Sequence, residues 1–280
     1  MTTSNSPSPE TTSTSLSAVD RRSFLCVTAV GLMASACRKT VPVTTSGATT
    51  VQHILSLAAE PFTAETGVQV DTQGGGSTRG VFDVVTGRAH IGGIAREPTA
   101  SERKLVNFRP LARDAIAVIV HPSSPLAGMT SQQVRSIYTD PLNRMALTRV
   151  VMAEGHGTRD ALLAHLNVPP AELAADVSAN SVNELVLAVA RLPQAIGFVS
   201  NAEARATVSK DRTVRMVPLD GIDATAATVA DGRYPMIRTL YCGVRPVVAH
   251  EALRFLDFLG GTRACAIMAD LGFVPAAARS

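Results

Sequence analysis

Three short stretches of the sequence combine glycine with hydroxyl residues directly before a segment of helical periodicity. They are Gly47-Ala48-Thr49-Thr50, Gly74-Gly75-Gly76-Ser77-Thr78 and Gly155-His156-Gly157-Thr158. The first turn of a helix carries backbone N–H groups without intrahelical partners and a partial positive charge, and glycine allows a ligand close to the backbone. Together the stretches predict an oxyanion site, although serine and threonine also serve simply as helix N-caps.

Common catalytic motifs do not fit the same stretches. Arg79 stands where a nucleophile elbow built on Ser77, or a dinucleotide fingerprint built on Gly76, requires glycine. His156 has no carboxylate spaced to orient it as a base. Arg79, Arg96 and Arg159 are candidate partners for an oxyanion, since a guanidinium binds one in a bidentate manner. The cysteines and the six histidines show no metal-ligand spacing, so we expect neither a metal nor a cofactor.

Hydrophobic patterning places each stretch between a predicted strand and a predicted helix. Thr49 or Thr50 is expected to cap the first of these helices, and capping boxes are predicted at Thr130 with Gln133 and at Ser181 with Glu184. Strands are predicted at 67–72, 90–95, 114–120, 148–153, 195–200, 214–219 and 237–244, and two helices between 248 and 271. This alternation predicts an α/β protein with largely parallel sheets.

The composition is that of an ordinary globular protein, with 46% hydrophobic and 18% charged residues. The net charge is only +3, aromatic residues make up 4% and tryptophan is absent. Neither the basic surface nor the stacking platforms of a nucleic-acid binder are evident, so we expect no nucleic-acid partner.

The amino-terminal segment has the sequence features of a leader. Residues 1–19 are rich in Ser, Thr and Pro, a composition that favours disorder. Arg21 and Arg22 then precede an apolar run that is too short to span a membrane, which is typical of a twin-arginine export signal. Cys37 follows small residues in a lipobox-like arrangement and is the candidate lipidation site. Plain secretion without a lipid remains the alternative.

Residues 1–37 are thus predicted to be a disordered leader plus export signal, and residues 38–45 a linker. Two cysteines follow the linker, Cys242 and Cys265. They form either a disulfide or, as we expect, two small buried hydrophobic side chains.

Six runs in chain order resemble the periplasmic phosphate-binding proteins of bacterial ABC transporters and their wider phosphate-binding-like family. These runs are residues 46–98, 112–140, 154–166, 196–200, 234–244 and 255–275. The resemblance implies a two-lobed type 2 periplasmic-binding-protein fold, each lobe a mostly parallel sheet flanked by helices. It further implies lobe 1 at 46–119 and 240–280, lobe 2 at 120–239, and hinge strands near Val118–His121 and Leu240–Gly243.

Carried over by position, the resemblance implies an anion site between the lobes. Its residues are Thr49, the backbone of Thr50, Ser77 with the neighbouring Thr78, and His156, Gly157 and Thr158. The family's proton-accepting Asp falls on Ala95, its anion-pairing Arg on Met152 and its third-loop Ser on His156. Arg96 is expected to supply the missing positive charge.

The function implied is capture of phosphate or a related oxyanion for an ABC permease, without chemistry on the ligand. A monomer is expected in the periplasm or at the outer face of the cell membrane, anchored there through lipidated Cys37. Two alternatives stay open: an oxyanion sensor or degenerate interaction protein on the same fold, and an exported phosphoester hydrolase that uses His156.

Overall fold

The structure is a computed structural model and describes residues 41–142, 145–210 and 212–276. Contacts divide the chain after Lys39, and all described residues belong to the second, compact unit. The predicted leader, the export signal and Cys37 lie outside the described residues.

Strands and helices alternate along the described chain, as the patterning predicted. The strands are β1 (Val43–Gly47), β2 (Val70–Gly74), β3 (Ile91–Ile94), β4 (Asn107–Val120), β5 (Thr148–Met152), β6 (Val177–Ala179), β7 (Ala195–Ser200), β8 (Arg215–Val217), β9 (Ile237–Val244) and β10 (Val274–Pro275). The helices are α1 (Thr49–Thr66), α2 (Ser77–Val85), α3 (Glu102–Leu105), α4 (Ser131–Thr139), α5 (Gly157–Leu166), α6 (Val182–Arg191), α7 (Asn201–Lys210), α8 (Ala226–Ala230), α9 (His250–Leu259) and α10 (Thr262–Asp270).

Local signals account for several of these elements. The predicted capping box of α4 is present, with Thr130 and Gln133 bonded reciprocally. At α6, Ser181 Oγ accepts from the backbone N–H of Glu184, but the Glu184 carboxylate accepts from Asn180 N at 2.8 Å rather than from Ser181. The capping box predicted there is therefore only half formed.

The strands form one mixed sheet in the order β2-β1-β3-β9-β4-β7-β5-β6, with β8 and β10 also paired to β4. The pairs β1–β2, β1–β3, β5–β6 and β5–β7 are parallel. Every antiparallel pair includes β4 or β9, the two longest strands. The α/β class is thus confirmed, and these two strands make the sheet mixed.

The buried residues form two large cores. Core 1 contains the apolar faces of β1, α1, β9 and α9, among them Ile54, Phe62, Leu240 and Phe255. Core 2 contains the apolar residues of β5, β7 and α4 together with residues 115–120. Since Ala112 belongs to core 1 and Ala115 to core 2, β4 passes from one core to the other between these residues.

The two described cysteines are not joined. Cys242 is buried on β9, Cys265 is half-buried on α10, and both are free thiols. Burial raises the pKa of Cys242 to about 12, so its thiol stays protonated and serves as a small apolar side chain. Within the described ranges, no helix has the length and apolar character needed to cross a membrane.

Candidate oxyanion site

The structure brings the three glycine–hydroxyl loops together. The loops after β1 and β2 lie side by side because these strands are parallel neighbours, so their carboxyl ends share one edge of the sheet. Gly76 N donates to Gly47 O at 3.1 Å, which joins the first two loops. Thr78 N donates to Gly155 O at 3.3 Å, which joins the second loop to the third. Loops from core 1 and from core 2 therefore meet directly.

None of the hydroxyls in these loops caps its helix. The N-cap residues of α1, α2 and α5 are Ala48, Gly76 and His156, and none of them makes a side-chain capping bond. The expectation that Thr49 or Thr50 caps α1 is wrong, because α1 already begins at Thr49. Elsewhere in the chain Thr130, Ser181 and Thr225 do cap helices. The loop hydroxyls are therefore not explained by capping.

Ser77 lies at the centre of the contact between the loops and is fully buried. Its Oγ accepts a hydrogen bond from the backbone N–H of Ala95 at 3.0 Å. Gly157 packs against it so closely that a Cβ there would overlap Ser77 Oγ and lie 2.9 Å from Ala95 O. Gly76 has φ +88° and leaves room for Gly155 O, which would lie 2.7 Å from an added Cβ. These close approaches require glycine in the loops.

The loops enclose a small gap of about 10 Å³, roughly the space of one water molecule. Residues from both cores line it: Ala48, Thr49, Thr50, Gly76, Ala95, Met152, His156, Gly157, Thr158 and Val182. Of the predicted site residues, the gap thus brings together Thr49, Thr50, His156, Gly157 and Thr158, with Ser77 in contact behind it. A tetrahedral anion fits only if the loops separate.

Two of the residues predicted to contact the anion, Thr78 and Arg96, have side chains that are placed or bonded elsewhere. The side chain of Thr78 is exposed, and its contribution to the contact is its backbone N–H. The guanidinium of Arg96 is engaged by carboxylates: Nη2 and Nη1 donate to Glu102 at 2.7 and 2.8 Å, and Nε lies 2.9 Å from Asp160 Oδ2. Arg96 therefore ties the segment after β3 to the first turn of α5, and its charge is compensated there.

His156 is half-buried at the start of α5. Burial lowers the pKa of its imidazole, which Asp160 only partly opposes, so the ring is neutral near pH 7. No hydrogen bond joins the ring to another described residue. A catalytic base needs a group that orients it, so the geometry gives the hydrolase alternative no support.

Arg238, the most heavily bonded charge near the gap, is not among the residues that the sequence patterns indicated. Its Nε and Nη2 donate to Asp114 Oδ2 at 3.0 and 2.8 Å, and Nη2 also donates to Thr50 Oγ1 at 3.4 Å. Nη1 donates to Thr158 Oγ1 at 2.8 Å and to Ala95 O at 3.4 Å. All five N–H groups of the guanidinium are therefore used.

A signal for Arg238 was present in the sequence. Arg238 and Asp114 are charged residues inside two runs otherwise dominated by apolar side chains, and they face each other in the β4–β9 register. Charges on buried strands need partners, so pairing the two runs would have predicted this ion pair. Within the described residues no group of His, Cys, Asp and Glu side chains is placed to hold a metal ion.

Comparisons with known proteins find chains similar to this one. A family model described as "PBP superfamily domain" matches residues 6–261. The phosphate-binding protein PstS of Bacillus subtilis (strain 168) is 25% identical over 247 residues, which cover 83% of this chain and 80% of PstS.

Solved structures share the fold. A phosphate ABC transporter substrate-binding protein from Clostridium perfringens, solved with bound phosphate, superposes with a TM-score of 0.78 at 23% identity. The match covers 84% of this chain and all of that one. An ABC-type phosphate transport receptor from Vibrio cholerae gives a TM-score of 0.69 at 23% identity, with the same coverage.

Proposed function

This chain belongs to the PBP superfamily, and from that premise we propose that it is an exported solute-binding protein for phosphate or a related oxyanion. The observation that carries the proposal is the meeting of three helix N-terminal loops whose hydroxyls do not cap their helices. The phosphate-binding relatives in Bacillus subtilis and Clostridium perfringens support it. The ligand would be passed to an ABC permease without chemistry on it.

The anion would be bound chiefly by neutral donors. Ser77 and Thr158 each accept a hydrogen bond from the protein, so the proton of each hydroxyl is free for a ligand. The first-turn N–H groups of α1 and α5, including those of Thr49 and Gly157, are further candidate donors, because both residues line the gap. The charges of Arg96 and Arg238 are already paired with carboxylates, so they would position these donors rather than bind alone.

Binding would require the two cores to move apart and close again. β4 and β9 connect core 1 with core 2, and the contacts between Thr78 and Gly155 and between Ser77 and Gly157 belong to the closed arrangement. We propose two lobes close to the predicted bounds, 46–119 with 240–280 and 120–239, with the crossing in β4 between Ala112 and Ala115 rather than at Val118–His121. Export through the twin-arginine signal, a lipid anchor on Cys37 and a monomeric state complete the proposal.

Isothermal titration calorimetry of the purified protein with phosphate, arsenate, sulfate, molybdate and tungstate tests the proposal. Saturable binding of at least one of these tetrahedral anions is expected. If none of them produces a heat of binding, the protein is not an oxyanion carrier, and the interaction-protein alternative takes its place. Ala95 and Met152, which stand where the family has Asp and Arg, favour that alternative.

A further inference from the structure

The hydrogen bonds around the gap fix which hydroxyls can donate to a ligand. A hydroxyl has one proton and two lone pairs, so its neighbours decide what it offers to a third group. Ser77 and Thr158 accept from Ala95 N and Arg238 Nη1, and neither donates to a described residue. Both hydroxyls can therefore turn their protons toward an anion.

The hydroxyl of Thr50, in contrast, already donates its proton in a hydrogen bond within the protein. Its Oγ1 donates to Glu203 Oε1 at 3.4 Å and accepts from Arg238 Nη2 at 3.4 Å. The proton and one lone pair are thus committed, and a single lone pair remains. Thr50 lies in the wall of the gap, so a ligand there meets an acceptor at this position.

Glu203 is placed to hold the Thr50 proton. It lines a second cavity of about 280 Å³, in which Thr50 forms the wall shared with the gap. Its Oε2 is buried and makes no hydrogen bond within 3.5 Å to a described residue, although the nearby backbone N–H of Ser200 lowers the pKa of this carboxyl. The Thr50 hydroxyl is therefore a hydrogen-bond donor within reach of a carboxylate with spare acceptor capacity.

We propose that Thr50, with its proton held by Glu203, accepts a hydrogen bond from the bound oxyanion and so selects a ligand that carries a proton. Phosphate and arsenate carry one near neutral pH, whereas sulfate does not and would face the Thr50 lone pair without a hydrogen bond. The methyl side chain of Ala95 offers no such acceptor. This inference rests on the proposed function and names the ligand class of the same site.

The protonation of Glu203 controls this selectivity. Burial raises the pKa of Glu203 to about 7, an effect that Arg238 on β9 opposes and Asp114 on β4 reinforces. His53 on α1, Arg205 on α7 and Asp270 on α10 line the same cavity. Above pH 7 the carboxylate accepts the hydrogen bond from the Thr50 hydroxyl. Below pH 7 the protonated carboxyl donates to Thr50 instead, and the freed Thr50 proton can bind sulfate.

Calorimetry at pH 8.5 with phosphate and sulfate, on the wild type and on Thr50→Val and Thr50→Ser, tests the selectivity. We expect the wild type to prefer phosphate and Thr50→Val to lose about tenfold or more of that preference. Thr50→Ser keeps the hydroxyl and the preference. If Thr50→Val weakens both anions by the same factor, or if the wild type does not discriminate, the inference is wrong while the oxyanion-binding function stands. Absence of binding to either anion by the wild type overturns both.

Sulfate also tests the proposed protonation switch, in which Glu203 changes from hydrogen-bond acceptor to donor, because sulfate stays fully ionised over the pH range used. The affinity of the wild type for sulfate should rise as pH falls from 8.5 to 5.5. In Glu203→Leu, which leaves the Thr50 proton free, sulfate affinity should be high at both pH values. The matched control is His53→Gln in the same cavity, which should keep the pH dependence. Its loss in that variant would assign the switch to His53 and overturn the role of Glu203.

Discussion

Arg238 and Asp114 form an ion pair that is almost completely removed from solvent, with Nη2 2.8 Å from Oδ2 and side chains 2% and 0% exposed. The two residues are register partners on β4 and β9, at the place where both strands pass between the cores. The same guanidinium reaches Thr50 from core 1 and Thr158 from core 2. One buried pair therefore orients hydroxyls on both sides of the gap.

Removing one partner of this pair should be costly. In Arg238→Met the Asp114 carboxylate stays buried without its counter-charge, and we expect the free energy of unfolding to fall by about 3–5 kcal/mol. Urea denaturation measures this change in the free energy of unfolding. The double variant Arg238→Met with Asp114→Asn carries no buried charge at this position and should recover much of the loss. Equal stability of the single and double variants would contradict the role of the charge.

Gly157→Ala should block closure of the gap. The added Cβ would overlap Ser77 Oγ, yet alanine at the first position of α5 suits a helix, so folding should be little affected. We expect anion affinity to fall at least about tenfold, a loss of about 1.4 kcal/mol. Gly128→Ala is the control, since its Cβ would meet no atom closer than 3.5 Å. Calorimetry should show unchanged affinity in that variant, and similar affinities in both would refute the close approach.

Ser77→Ala and Thr158→Ala should each weaken anion binding by about 1 kcal/mol or more, because each removes a donor. Titration of the variants with the anion that the wild type binds gives the change. Thr130→Ala removes a hydroxyl that caps α4 away from the gap. It should lower stability by about 1 kcal/mol and leave affinity intact. Wild-type affinity in both loop variants would exclude these hydroxyls from the site.

Asp176→Asn should reveal an acid-sensitive part of the stability. The hydrogen bond from the largely buried Arg149 lowers the pKa of Asp176, while partial burial opposes this shift. The folded pKa lies below the unfolded value of about 3.9, so the contribution is full above that value and is lost as pH falls through the folded pKa. We expect a loss of about 2 kcal/mol at pH 7, less than for a fully buried pair because Asp176 is partly exposed.

Denaturation of wild type and Asp176→Asn between pH 7 and pH 2 measures this contribution, and the difference should shrink below pH 4. Asp231→Asn is the comparison variant, because Asp231 pairs with Arg233 at the surface. Its stability should stay close to that of the wild type at every pH. A difference between wild type and Asp176→Asn that does not change with pH would contradict the assignment.

Much of the fold could be predicted from the sequence. The strands at 195–200 and 237–244 have the predicted bounds, and the α4 capping box is formed. These signals are local, because they depend on side-chain alternation and on bonds across a few residues. The start of α1 could not be predicted so well. Ala48 takes the N-cap position, and the bond from its N–H to Gly93 O on a neighbouring strand holds it there.

The candidate site, too, was only partly predictable from the sequence. The sequence singled out Ser77, Gly157 and Thr158, because glycine and hydroxyl residues before a helix are a local pattern. The partners of Arg96 lie in α5 and α3, and no local pattern indicated that Asp160 and Glu102 would compensate its charge. Arg238 was missed because its contacts depend on the pairing of β4 with β9.

The sequence by itself thus determined where donors can be presented, since glycine freedom and the unpaired N–H groups of a helix start are properties of a few consecutive residues. Only the tertiary structure decided whether each hydroxyl donates or accepts a hydrogen bond toward the ligand. Arg238 is 188 positions from Thr50 and 80 from Thr158. A hydroxyl proton turns toward whichever acceptor is nearest in space, so Thr50 becomes an acceptor and Thr158 a donor only once the chain is folded.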